Sequence, residues 1–191
     1  PILSEVETKA AAFFDTQAAL YYASGYFGAG ILLQGLSSDY DIIFVDAQSH
    51  YAVMDGATLA GKPMVSFAHC DADDLARQLE SRLKPGQRPL IFSDGIFPMS
   101  GVIPPLPAYD QLLGSYPGGL LCVDDAHAYG VIGNQGRGTL EYAGIEGVGR
   151  YSWGTLSKAF GGYGGIITGS QALIDRLKQR VKVLGGSSPV P

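Results

Sequence analysis

Charge and reactive side chains are scarce in this chain. Only 16% of its 191 residues are charged, three are histidine and two are cysteine. Cys70 and Cys122 lie far apart in apolar or mixed surroundings, which leaves no disulfide framework and fits a reducing setting. No apolar run is long enough to span a bilayer and no signal-peptide pattern opens the sequence, so a cytoplasmic protein is the expectation. Basic runs are missing too. With a net charge of −5, neither nucleic acid nor an anionic membrane is an expected partner. The richest basic stretch, Arg176, Lys178, Arg180 and Lys182, reads as the solvated face of a last helix. There is no internal repeat, low-complexity segment or clear linker.

What the chain does have is apolar residues, 46% of the total, and 27 glycines clustered at turn-like sites without a collagen-like period. Its length suits one well-packed domain. Short apolar runs alternate with helix-like stretches. Strands are predicted at 18–24, 40–46, 63–67, 89–94, 119–125, 150–155 and 164–170. Helices are predicted from a Ser4–Glu7 capping box towards Phe14, after the turn at 24–30, and from 49. Three more are predicted at 71–83 behind an Asp71 cap, at 105–116, and as one terminal helix over 171–184. Such alternation implies an α/β fold, a mostly parallel sheet sandwiched by helices. Open α/β sheets bind ligands at the carboxyl ends of their strands. Ser24-Gly25, Asp46, Asp94, Asp124 and Thr155 all fall at such ends.

The segment GTLSKAFGGYGG (154–165) sets one lysine, Lys158, in a glycine-rich turn, flanked by the hydroxyls of Thr155 and Ser157. Glycines 161, 162, 164 and 165 let the backbone pass close to a bound group. A lysine there serves either as a point charge for phosphate or as an amine nucleophile. Upstream, VDDAHAYG (123–130) ends an apolar strand on a carboxylate that needs a cation or hydrogen bonds to offset its burial. A metal is one candidate cation, although the other histidines and the cysteines show no ligand spacing. A protonated ring nitrogen of an organic cofactor is another. Asp124 as a simple turn cap, with His127 a satisfied loop residue, is the third reading. SGYFGAG (24–30) lacks the G-x-G-x-x-G spacing of a dinucleotide fingerprint, but as a strand-to-helix turn it can present N–H groups to a phosphate. His50, alone, reads as a residue before a helix.

In chain order these motifs make a phosphate turn, a His, Asp-x-x-His and Thr-x-x-Lys. SGYFGAG, SHYAVMDGA, DGIFPMSG, VDDAHAYGVIGNQGRGTLEY and GTLSKAFGGYGG together resemble the α-oxoamine synthase family of fold-type-I pyridoxal-phosphate enzymes. The resemblance implies a PLP-dependent transferase fold, the seven-stranded large domain of the aspartate aminotransferase type, over residues 1–191. It also implies pyridoxal 5'-phosphate as cofactor, an amino acid and an acyl-CoA as substrates, no resident metal, and a homodimer. Family members carry in addition an N-terminal segment and a small C-terminal domain, so residues 1–191 alone are expected to turn over little.

Site roles follow from the resemblance residue by residue. Lys158 is implied to capture the cofactor aldehyde and to move the proton at the substrate α-carbon. Asp124 pairs with the pyridinium nitrogen, and His127 bonds the phenolic oxygen. His50 stacks on the ring and shares the catalytic assignment. Gly25 and Tyr26 offer N–H groups to the phosphate, and Thr155 lies beside the cofactor. Two positions depart from the family pattern. Asp94 and Pro98 stand where members usually carry Glu and Ser, and Pro98 has no side-chain donor. Within the cofactor class an aminotransferase is the rival, and GNQGRG (133–138) favours the synthase. A cofactor-binding fragment without turnover is the reading outside it.

Overall fold

Residues 2–186 are described by the structure, a computed structural model; most of the GGSSPVP tail lies outside them. Seven strands form one sheet: β1 (Ala18–Tyr22), β2 (Ile42–Asp46), β3 (Met64–Phe67), β4 (Pro89–Asp94), β5 (Leu120–Asp124), β6 (Arg150–Thr155) and β7 (Gly165–Gly169). Their order across the sheet is β1-β7-β6-β5-β4-β2-β3, and β7 alone runs against its neighbours. The expected mostly parallel sheet is thus the observed one.

Alternation along the central strands divides the core into two layers. Ile43, Val45, Leu90, Phe92 and Cys122 point to one face, where they meet α2 (Gly28–Gly35), α3 (Tyr51–Leu59) and α7 (Gln171–Arg180). Phe44, Ile91, Leu121 and Val123 point to the other, towards α4 (Ala72–Arg82) and α5 (Leu106–Leu113). Since β2, β4 and β5 are buried on both faces, they read as continuous apolar runs in the sequence. A third, smaller cluster joins Phe14 of α1 (Ile2–Phe14) to Tyr129 and Ile166. The short α6 (Thr139–Ala143) follows the irregular stretch after β5.

Two expectations are corrected. Helix α1 starts at Ile2, so Ser4 lies inside it and caps nothing. Glu7 accepts the Tyr21 N–H at 3.0 Å and pairs with Lys178 at 3.1 Å. The terminal helix is broken: Val181, extended and buried, separates α7 from α8 (Lys182–Gly186). The basic face of α7 is largely exposed, as expected, and makes surface contacts as well. Arg176 pairs with Asp39, Lys178 with Glu7, and Arg180 donates to the Ser38 hydroxyl.

Candidate active site

Each of the side chains singled out by the sequence arrives at the carboxyl edge of the sheet by a different element. Asp124 is the last residue of β5 and Thr155 the last of β6, while Asp94 ends β4. His50 is the N-cap of α3, its ring Nδ1 accepting the Ala52 N–H at 3.2 Å. Ser24 opens a single 3-10 turn over Gly25–Phe27, and its hydroxyl accepts the Tyr26 N–H at a long 3.4 Å. Lys158 and His127 come from the loops after β6 and β5. One cleft of about 160 Å³ is lined by all of these: Ser24, Gly25, Tyr26, His50, Asp94, Asp124, His127, Thr155, Ser157 and Lys158, with Ala52 and Ala126. Pro98 does not line it; the residue is exposed.

Packing dictates part of this composition. A Cβ on Gly25 would stand 2.7 Å from Thr155 Cβ and 2.9 Å from its hydroxyl, too close for any other residue without a shift. The Thr155 hydroxyl is held by the Gly164 carbonyl at 2.9 Å and by Ser157 Oγ at 2.7 Å. Gly25 and Thr155 are thus packed directly against each other in the wall made by residues 24–26 and 155–157.

Asp124 is 6% exposed, accepts one N–H, from Ala126 at 2.9 Å, and has no ion-pair partner within 4 Å among the described residues. Burial pushes its carboxyl up to about 7, with the Asp94 charge adding to the effect and Lys158 opposing it. Lys158 Nζ lies 2.7 Å from His127 Nε2. Burial lowers the Lys158 ammonium against the pull of Asp124 and Asp94; it also lowers His127, with Lys158 adding to that shift. A partly desolvated amine, a buried carboxyl without a cation and a wall carrying Gly25 beside the Ser24, Thr155 and Ser157 hydroxyls make a set that suits an aromatic cation bearing an aldehyde and an anionic tail. The residues present fit such a group.

Sequence reasoning missed the second carboxylate of VDDAH. Asp125 points to the opposite face and accepts both the N–H and the hydroxyl of Thr139, tying the GNQGRG loop back to the strand. A Cβ on Gly138, whose φ is +100°, would lie 2.2 Å from Asp125 Oδ2, so the loop closes on that carboxylate only through glycine. The spacing D-x13-T carries no local signal for this. Away from the cleft, Asp46, His69 and Cys70 bring one ligand-type atom each within 4.8 Å of one another. Their contacts are internal. Asp46 accepts from Cys70 N at 2.8 Å and Gln48 N at 2.9 Å and meets His69 Nδ1 at 2.9 Å. The sulfur stands 3.6 Å from both ring nitrogens, and burial with the Asp46 charge pushes its thiol up to about 11.

Known proteins resemble this chain in sequence and in fold. The chain is 40% identical over 177 residues to the 8-amino-7-oxononanoate synthase 1 of Bacillus velezensis, covering 93% of this chain and 45% of that protein. With the 8-amino-7-oxononanoate synthase of Trichlorobacter lovleyi it shares 38% over 191 residues, 100% of this chain and 48% of that one. A solved serine palmitoyltransferase from S. paucimobilis, with a bound PLP–myriocin aldimine, superposes with a TM-score of 0.84 at 28% identity, over 92% of this chain and 44% of that one. The 8-amino-7-oxononanoate synthase of Francisella tularensis gives 0.76 at 27% identity, over 95% and 51%. The chain spans about half the length of the curated relatives it matches. The family model for aminotransferase class I and II matches residues 1–191 throughout. This chain belongs to the aminotransferase class I and II family.

Proposed function

We propose that residues 1–191 are the cofactor-binding large domain of a pyridoxal 5'-phosphate-dependent acyltransferase of the α-oxoamine synthase type, condensing an amino acid with an acyl-CoA. The observation that carries this reading is the cleft in which cation-less Asp124 and partly desolvated Lys158 face the Gly25–Thr155 wall. Pyridoxal phosphate, when bound, supplies an aromatic electron sink for a bond breaking at the substrate α-carbon.

The protein's part is to hold and orient. Asp124 holds a proton on a ring nitrogen facing it, which also settles its own burial. Lys158, its ammonium lowered by desolvation, would be the side chain that holds the cofactor's aldehyde carbon and, once freed from it, would carry the proton at the substrate α-carbon. His127, already at hydrogen-bond distance from Lys158 Nζ, donates to a phenolic oxygen at that place. His50, a cleft-wall ring fixed by the start of α3, covers one face of the bound ring. The N–H groups of Gly25 and Tyr26 take up the phosphate, and Thr155, its hydroxyl held by the Gly164 carbonyl, lies beside the cofactor. A second copy of the chain, an amino acid and an acyl-CoA are the partners, and the setting is the cytoplasm. None of these steps calls for a nucleic acid, a membrane surface or a resident metal.

Absorbance tests the first half of the reading. Pyridoxal phosphate added to residues 1–191 is expected to give a visible band that vanishes in Lys158→Ala; a band that never forms returns the chain to a plain structural module. For the chemistry, thiol release from acyl-CoA in the presence of glycine, alanine or serine is the readout, with robust turnover expected only for a longer protein. Amino-group exchange with a keto acid that ignores CoA would overturn the acyltransferase assignment.

A further inference from the structure

Asp94 is the one acidic side chain of the cleft wall to which the reading above gives no part. It ends β4, is 2% exposed, and stands in register with Asp124 on β5, while β2 on its other side ends at Asp46. Its Oδ2 accepts the His50 N–H at 3.0 Å. The N-cap residue of a helix has no intrahelical partner for that N–H, so the carboxylate meets an otherwise orphaned donor. Ser49 Oγ, buried without a formal partner, lies close enough to favour the ionised form of the same carboxyl. His50 is consequently fixed at two points, its backbone by Asp94 and its ring Nδ1 by the Ala52 N–H. No rotation of its main chain can move the ring off the cleft wall without breaking one of them. The Asp side chain reaches this donor from the strand tip, a contact that a distant sequence spacing of 44 residues hides.

We propose that Asp94 is a positioning residue: through the backbone of His50 it sets the His50 ring on the cleft wall, and its buried charge strengthens the hold of Asp124 on a proton facing it. The second half rests on the cofactor reading; the first does not. The charged and titratable groups that face Asp94 are Asp46 from β2, Asp124 from β5, His50 from the start of α3 and Lys158 from the loop after β6. Asp46 and Asp124 repel its charge and Lys158 attracts it, so neutralising Asp94 takes a negative charge from the neighbourhood of both Asp124 and Lys158.

Two variants separate geometry from charge. Asp94→Asn keeps an oxygen that can accept the His50 N–H but loses the charge, and Asp94→Ala loses both. Amide hydrogen exchange at His50 and absorbance titration with pyridoxal phosphate over a pH series are read on each. Exchange at His50 should stay slow in wild type and Asp94→Asn and quicken by about tenfold or more in Asp94→Ala, the loss of one charge-assisted hydrogen bond. Cofactor affinity should fall by about tenfold in Asp94→Ala and by less than about threefold in Asp94→Asn. The pH midpoint of the bound-cofactor band should move down in both, by about half a unit to one unit, as a like charge beside Asp124 is removed. Unchanged His50 exchange in a folded Asp94→Ala overturns the positioning role. Should that variant fail to fold, the Asp94→Asn titration decides, and an unmoved midpoint overturns the proposal. A wild-type protein that shows no band sinks the cofactor reading instead, and the exchange measurement still judges Asp94.

Discussion

Asp124 and Asp125 are neighbours in the chain and opposites in the structure. Burial pushes each carboxyl up to about 7, yet only Asp125 has a dedicated pair of donors, both from Thr139. Asp124 has the single Ala126 N–H and faces the cleft. Removing its charge should therefore have effects of opposite sign. In Asp124→Asn the amide oxygen can keep the Ala126 bond, and the protein without added cofactor should gain about 1–3 kcal/mol of stability at pH 8, the desolvation no longer imposed. Pyridoxal phosphate should bind that variant on the order of 100-fold more weakly, the value of a charge-assisted hydrogen bond in a dry site. Urea unfolding and absorbance titration on one preparation check both signs. A variant that loses stability and keeps its affinity would make Asp124 a structural residue. The first carboxylate was legible in the sequence, because an apolar strand ending on an acid demands a compensating group. The second was not, since its partner lies 14 residues on and the connection runs through a glycine whose φ of +100° no pattern announces.

At the scale of elements, helix α2 shows why the turn after β1 is so rich in glycine. A Cβ on Gly28 would meet Trp153 Cδ1 at 2.1 Å and the Tyr22 hydroxyl at 2.4 Å, whereas nothing lies within 4 Å of one on Gly30. Gly28 lets α2 approach β6 closely, and so sets the height of the 24–27 turn above the cleft. Gly28→Ala should cost about 1–3 kcal/mol or more by overpacking. Gly30→Ala should be neutral or stabilise by up to about 1 kcal/mol, because alanine suits a helix interior better. Urea midpoints measured side by side separate the two, and equal effects would mean that helix propensity, not close approach, governs this segment. Strands β1 to β7 and the helices between them other than the short α6 could be read from apolar periodicity, since buried central strands carry the strongest such signal. The beginning of α1 and the break at Val181 could not. Glu7, three residues after Ser4, has the spacing of a capping box but is used for tertiary contacts with Tyr21 and Lys178. Val181 leaves helical geometry where its side chain is buried in a core cluster that includes Leu32, Leu36 and Tyr40. Both outcomes are set by residues remote in the chain, where local pattern has no purchase.

Over the whole molecule, the buried acids at the carboxyl edge of the sheet make stability depend on pH in an unusual direction. Asp124 and Asp125, raised by burial to about 7, keep their protons in the folded chain at pH values where the unfolded chain has released them. Asp94 is raised as well, by burial first. Between the ordinary carboxylate range near 4 and a pH of about 7, the folded state therefore binds more protons, and stability falls as pH rises, by up to about 1.4 kcal/mol per unit for each fully coupled group. His127 works against this: lowered by burial, it makes the unfolded chain the better proton acceptor as pH drops through the ordinary histidine value. It is only partly buried, so its slope is the weaker one. Burial lowers Lys158 as well, which acts in the same direction as His127 wherever its ammonium titrates. The net expectation is a thermal midpoint that declines by about 5–10 °C between pH 5.5 and 8, a change of a few kcal/mol for a chain of this size. Pyridoxal phosphate should flatten that decline, because a cation facing Asp124 lets the carboxylate ionise at no penalty, while the Asp125 share of the slope remains. Scanning calorimetry with and without the cofactor across this range measures both. A midpoint that climbs towards pH 8 in the cofactor-free protein would mean that these carboxylates are ionised and satisfied already, and that no cation is called for at the tip of β5.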